Sequence, residues 1–238
     1  MTGPVSLWSA LGNRYLVVGT SAPDRPLTPA SVRELSREAD GIVEVVSADA
    51  WEVEVVIWNR DGTTAELSGN GTRIAARWLA ERTAAASVVV RVGGREVAAR
   101  MLEGVEVETE MGRVEVAEPE EVAGVELVRV TVGNPHAVVE ADPAEVARLG
   151  PLLVAHPAFH AGTNVEVVRI DGPGEVTARV WERGVGETAA SGTGAVAAAA
   201  ATHGAGEVTV HFPGGDLRVA LAAGRATLTG PAERVPLA

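Results

Sequence analysis

The chain has 238 residues, 46% of them apolar and 22% charged, a balance that suits one large or two smaller globular domains. Its net charge of −12, with no basic stripe, argues against nucleic acid as a partner. There is no cysteine and all 20 basic residues are arginine, which excludes disulfides, thiolate chemistry and the lysine Schiff base that holds pyridoxal phosphate.

Met1-Thr2-Gly3-Pro4 lacks the basic start and apolar core of a signal peptide. No run approaches the roughly 18–20 apolar residues of a membrane span, so a cytoplasmic protein without membrane contact is expected. Tyr15-Leu16-Val17-Val18 reads as a strand after a Gly12-Asn13 turn. A helix is predicted from Thr28-Pro29-Ala30 to about Ala39, with Pro29 in its first turn. The alternating, β-branched segment from Trp51 to Trp58 predicts a strand, and Asp61-Gly62 a turn. From Gly69 to Thr83, Ile74, Ala75, Trp78 and Leu79 fall at helical spacing. Short β-runs follow at 88–92, 96–101, 105–110 and 114–116, and the acidic Glu118-Pro119-Glu120-Glu121 reads as a linker.

The second half repeats the plan. A strand at 127–132 leads into Gly133-Asn134-Pro135-His136, and a short helix follows Asp142-Pro143. Strands are predicted at 165–170 and 175–181. The run from Gly192 to about Thr202 is nearly all alanine and valine, and a helix apolar all round is a buried one. Three β-runs close the chain at 207–212, 217–221 and 226–229. The expected fold is therefore α+β, in two similar domains (1–118 and 119–238), each of short strands around a central helix.

The halves also echo each other in chemistry. Ser68-Gly69-Asn70-Gly71 and Ser191-Gly192-Thr193-Gly194 lie 123 residues apart, as do Trp58-Asn59-Arg60 and Trp181-Glu182-Arg183. Gly12-Asn13 and Gly133-Asn134 lie 121 apart. Serine is a favoured helix N-cap, and either serine alone reads as a cap. The paired glycines add exposed backbone N–H groups at the positive end of a helix, which favours an anion. Two such starts flanking one cleft would suit a small carboxylate-bearing substrate, with a hydroxyl on each face of one carbon.

Other residues carry weaker signals. Asn13, Asn59, Asn134 and Asn164 lie beside turns or strand ends, where asparagine also serves its own backbone. Arg183 suits either a second substrate carboxylate or a surface ion pair. His136 and Glu182 are the candidate acid/base partners of the serines, His136 having a structural role as its alternative. Gly184-Val185-Gly186-Glu187-Thr188-Ala189 fits a dinucleotide fingerprint, but no parallel α/β series surrounds it. No His/Asp/Glu spacing resembles a metal motif.

At these residues the chain resembles the diaminopimelate epimerase family almost end to end. Ala10-Leu11-Gly12-Asn13 with Tyr15 is similar to the family's Gly-Asn-Asp-Phe element, and Ala39-Asp40-Gly41 to its Ala-Asp-Gly. The stretch from Asn59 to Gly71, with Asp61-Gly62 and Glu66, resembles one ending in Cys-Gly-Asn-Gly. Gly133-Asn134-Pro135-His136, Gly162-Thr163-Asn164-Val165 and Glu182-Arg183-Gly184-Val185-Gly186-Glu187-Thr188 match directly. Ser191-Gly192-Thr193-Gly194 stands in the place of Cys-Gly-Thr-Gly, and Phe212-Pro213-Gly214-Gly215 and Gly230-Pro231-Ala232 fit the closing pattern.

The resemblance implies two domains of one fold, a site in the cleft between them, no cofactor, and a homodimer. It implies inversion of LL- to meso-diaminopimelate by two-base proton transfer. Ser68 and Ser191 fall on the two catalytic cysteines, with His136 and Glu182 on residues that assist them. Gly69-Asn70 and Gly192-Thr193 fall on the carboxylate cradles. Asn13, Asn59, Asn134, Asn164, Glu182 and Arg183 fall on substrate contacts. The chain departs from the pattern at Arg14, where an acidic residue is usual, at Gly41, where some members carry glutamine, and at both thiols. With serines in those places, dehydration of a β-hydroxy amino acid and non-catalytic amino-acid binding stand as the alternatives.

Overall fold

The computed structural model describes residues 5–19, 27–65 and 67–237; Met1-Thr2-Gly3-Pro4 and Glu66 lie outside them. The chain forms two compact units, Met1–Glu110 with Thr229–Ala238, and Met111–Leu228. The division therefore falls at Glu110 and not at 118/119, and the closing residues belong with the first unit. The expected linker is not one: Glu120–Val122 is a strand paired with Val125–Leu127. Ala123 and Gly124 turn between them with φ of 55° and 75°, the left-handed pair of a tight hairpin.

In the first unit, strands Val5–Ala10 and Asn13–Gly19 form a hairpin, and the second lies parallel to Gly41–Ala48 with Tyr15 opposite Gly41. Helix α1, Pro29–Leu35, spans that crossover; Thr28 and Ser31 make a reciprocal capping box at its start, and a 3-10 turn over Ser36–Glu38 continues it. Gly41–Ala48 runs antiparallel to Glu52–Asn59, which in turn lies parallel to Ser87–Val92. Helix α2, Gly69–Thr83, makes this second crossover, and it buries Ile74, Ala75, Trp78 and Leu79 as the periodicity predicts. Strands Arg95–Met101 and Glu106–Arg113 follow antiparallel.

The second unit repeats the order. Pro135–Glu140 lies parallel to Asn164–Gly172 with His136 opposite Asn164, joined through helix α3, Val146–Val154. Asn164–Gly172 runs antiparallel to Glu175–Glu182, which lies parallel to Gly206–Phe212. Helix α4, Gly192–His203, makes that crossover with every residue from Gly192 to Ala200 buried. Its alanines leave only methyl groups between helix axis and strands, so the strands pack close on all sides. Periodicity predicts both central helices but not the strands Gly41–Ala48 and Pro135–Glu140, each a partner in one of the two equivalent parallel pairs. The α+β class holds, with strands dominating and one buried helix central to each unit.

Candidate active site

In each unit the first turn of the central helix carries one of the two candidate serines. Ser68 and Ser191 are both N-caps in extended conformation, with φ/ψ of −132°/116° and −133°/128°. Gly71 N donates to Ser68 Oγ at 3.1 Å, and Gly194 N to Ser191 Oγ at 3.2 Å. The capping function is thus real in both halves, and it holds each hydroxyl at the positive end of a helix.

In the first unit, Asn70 is buried and its Oδ1 accepts from Arg73 Nη2 at 2.7 Å. The fully buried Arg73 guanidinium also donates from Nη1 to Gly69 O at 3.1 Å. Burial lowers the Arg73 pKa to about 10, opposed by the negative charge of Glu106 and by Tyr15. Asn13 is buried in its hairpin, and the following Arg14 N donates to Asp40 Oδ2 at 2.8 Å. Asn59 turns its amide to Thr63, with Nδ2 donating to Oγ1 at 2.9 Å.

The second unit is richer in charge. Burial raises the Glu182 carboxyl above the ordinary carboxylate range; nearby hydroxyls of Ser191 and Thr188 oppose the rise, Glu166 adds to it and His136 opposes it. The residue as a whole stays partly exposed, so it is the carboxyl end that is enclosed. His136 is buried, with Nδ1 2.8 Å from Glu166 Oε1 and Nε2 3.0 Å from Asn134 Oδ1. Asn134 Nδ2 donates to Thr193 Oγ1 at 3.3 Å. Glu166, His136, Asn134 and Thr193 therefore form one chain that ends on the first turn of α4.

Gly194 is required there by close approach, since a Cβ would stand 2.8 Å from Glu166 Oε1 and 3.2 Å from Ser191 Oγ. Asn164 and Arg183 are also brought together, Arg183 N donating to Asn164 Oδ1 at 2.9 Å while its guanidinium Nη1 reaches Ala161 O at 2.6 Å.

The structure thus groups Ser191, Glu182, Thr193, Asn134 and His136 in one unit and Ser68 with Asn70 in the other. It ties His136 to Glu166 and Asn134, with both ring nitrogens engaged there. Two further residues belong to these surroundings. An acidic residue within a strand reads as solvent-facing, yet Glu166 is fully buried. Tyr15 opens an apolar run and reads as a strand residue, yet its hydroxyl lies 3.4 Å from Ser68 Oγ. The 121-residue offset that pairs Asn13 with Asn134 also pairs Tyr15 with His136, and that signal was available in the sequence.

A family model described as "Diaminopimelate epimerase" matches residues 128–235. A diaminopimelate epimerase of Desulforudis audaxviator is 37% identical, covering 94% of this chain and 94% of its own. Among solved structures, a "Predicted Epimerase" from Pseudomonas aeruginosa is 17% identical with a TM-score of 0.72, covering 98% of this chain and 96% of its own. A hydroxyproline epimerase from Agrobacterium vitis, solved with trans-4-hydroxy-L-proline, is 15% identical with a TM-score of 0.69, covering 97% and 88%. These two likenesses concern the fold.

Proposed function

This chain belongs to the diaminopimelate epimerase family, and on that footing we propose that it inverts one α-carbon of diaminopimelate, LL to meso, without a cofactor. Ser68 and Ser191 exchange protons with opposite faces of that carbon. The first turns of α2 and α4, at Gly69-Asn70 and Gly192-Thr193, hold the adjoining carboxylate through their N–H groups and helix dipoles. Asn13, Asn59, Asn134, Asn164 and Arg183 recognise the remainder of the substrate.

An alcohol is a weaker acid than a thiol by roughly five units or more, and at about 1.36 kcal/mol per unit a free alkoxide costs about 7 kcal/mol beyond a thiolate. Proton transfer through serine therefore has to be concerted with transfer to a base. Glu182 fills that role for Ser191: it takes the hydroxyl proton as Ser191 Oγ takes the α-proton. The observation that carries this reading is the enclosed Glu182 carboxyl beside a capping serine. His136 supports it by fixing Asn134 against the start of α4.

Incubation with LL-diaminopimelate in deuterated water tests the reading. Deuterium at the α-carbon together with meso product is the expected result; no exchange over days would sink it. Calorimetric binding without exchange would mark an amino-acid-binding protein instead.

A further inference from the structure

The two serines do not have equivalent neighbours. Trp58 lies opposite Ile42 and Trp181 opposite Val165, so Asn59 holds in the first unit the place that Glu182 holds in the second. An amide cannot take the proton of Ser68, and this one is turned to Thr63. Likewise Tyr15 lies opposite Gly41 as His136 lies opposite Asn164. His136 is turned to Glu166 and Asn134, whereas Tyr15 is turned to the serine, its hydroxyl 3.4 Å from Ser68 Oγ with either oxygen able to donate. Gly41 makes room for the ring, because a Cβ there would stand 2.6 Å from Tyr15 Cε1. The buried Arg73 guanidinium interacts electrostatically with Tyr15, and a cation beside a phenol stabilises negative charge on its oxygen.

We propose that Tyr15 is a catalytic residue, the proton partner of Ser68. The inference rests on the epimerase reading above. As Glu182 accepts the proton of Ser191 and Ser191 Oγ accepts the α-proton, the C–H electron pair stays on carbon. That carbon then takes the hydroxyl proton of Ser68 on its other face, and the Tyr15 O–H proton passes to Ser68 Oγ. Glu182 ends protonated and Tyr15 ends as phenolate, and exchange with water returns both to their starting forms. No free alkoxide forms at either serine. A phenol titrates near 10, far closer to neutrality than an alkyl alcohol, so it bears the charge that Ser68 alone would not. The molecule therefore replaces each thiol by a pair: serine with carboxyl in one unit, serine with phenol in the other.

The chain contains a single tyrosine, so the near-ultraviolet phenolate band reports Tyr15 alone. In Ser68→Ala the hydroxyl that stabilises the phenolate is gone, and the titration midpoint is expected to move upward. An unchanged midpoint overturns the pairing, whatever the enzyme's activity.

The catalytic role is tested in deuterated water by Tyr15→Phe, alone and combined with Ser68→Cys. Tyr15→Phe alone is expected to cut inversion at least tenfold while wash-in of deuterium from the Ser191 side persists, so the ratio of exchange to inversion rises. With Ser68→Cys the thiol needs no phenol, and the same substitution is expected to change inversion by less than twofold. Equal losses in both backgrounds assign Tyr15 a packing role and overturn the proposal. Absence of exchange in every background, with the titration still shifted, removes the epimerase reading and the catalytic role with it, and leaves only the hydrogen bond.

Discussion

His136 and Glu166 are both fully buried and meet at 2.8 Å, and the far side of the imidazole meets Asn134 Oδ1 at 3.0 Å. With Asn134 Nδ2 on Thr193 Oγ1, its carbonyl oxygen faces Nε2, so Nε2 must carry a hydrogen. Nδ1 meets Glu166 Oε1. Both ring nitrogens are committed, and neither offers a lone pair to Ser191. His136 is thereby a positioning residue for Asn134 and Thr193, and Glu166 positions His136.

Removing one member of this pair strands the other in the core. Glu166→Leu is expected to destabilise the protein by about 3–5 kcal/mol, read as a lower urea midpoint. Glu166→Gln keeps a hydrogen bond to the ring and is expected to lose much less. A Glu166→Leu protein as stable as its parent would show that the pair contributes nothing.

Gly194→Ala tests how tightly the start of α4 is fitted. The new methyl would press on Glu166 Oε1 at 2.8 Å and on Ser191 Cβ at 3.0 Å. Because Glu166 is locked to His136, the serine is the group that yields. The expected result is a loss of about 1–3 kcal/mol, typical of overpacking, with a larger fall in α-proton exchange than in helix content.

Much of this was legible in local sequence. The N-cap serines and the buried central helices at Gly69–Thr83 and Gly192–His203 are written in short-range patterns, a capping hydroxyl before paired glycines and an alanine-rich run. What was not legible depends on pairing across distance. The Tyr15–Ser68 contact needs Tyr15 set opposite Gly41 by a parallel pair formed across α1. Glu120 and Glu121 read as solvent-facing linker, but Val122 is buried and draws the segment into a hairpin with Leu127. Periodicity describes which face a residue takes, and register decides what it meets there.

Burial raises the Glu182 carboxyl, the hydroxyls of Ser191 and Thr188 pulling the other way, and the direction fixes two signs. As a base, Glu182 works only when ionised, so the acid limb of the kcat/KM profile is expected above the ordinary carboxylate range. For stability, the folded state holds this proton more tightly than the unfolded chain. Its contribution is complete below the unfolded value and is lost as pH rises through the window up to the folded one. Above the unfolded value the buried carboxyl is therefore a cost. Glu182→Gln is expected to raise the neutral-pH Tm while abolishing exchange from the Ser191 side. A lower Tm at pH 7 and an equal one at pH 4 would contradict the burial argument.

Replacing both serines by cysteine measures how well the hydroxyl pairs compensate for their weak acidity. Without compensation, the difference of about 7 kcal/mol corresponds to about five decades of rate. Helix dipoles recover only about 1–2 kcal/mol of it, and they act on thiolates as well. Concerted transfer to Glu182 and from Tyr15 recovers more, because it avoids the alkoxide altogether. Ser68→Cys with Ser191→Cys is therefore expected to speed epimerisation by more than tenfold but by well under five decades. The gain is expected to grow when Tyr15→Phe or Glu182→Gln removes a partner from the serine enzyme but not from its cysteine counterpart. A double variant no faster than its parent in the deuterium-exchange assay would count against placing these two side chains at the reacting carbon.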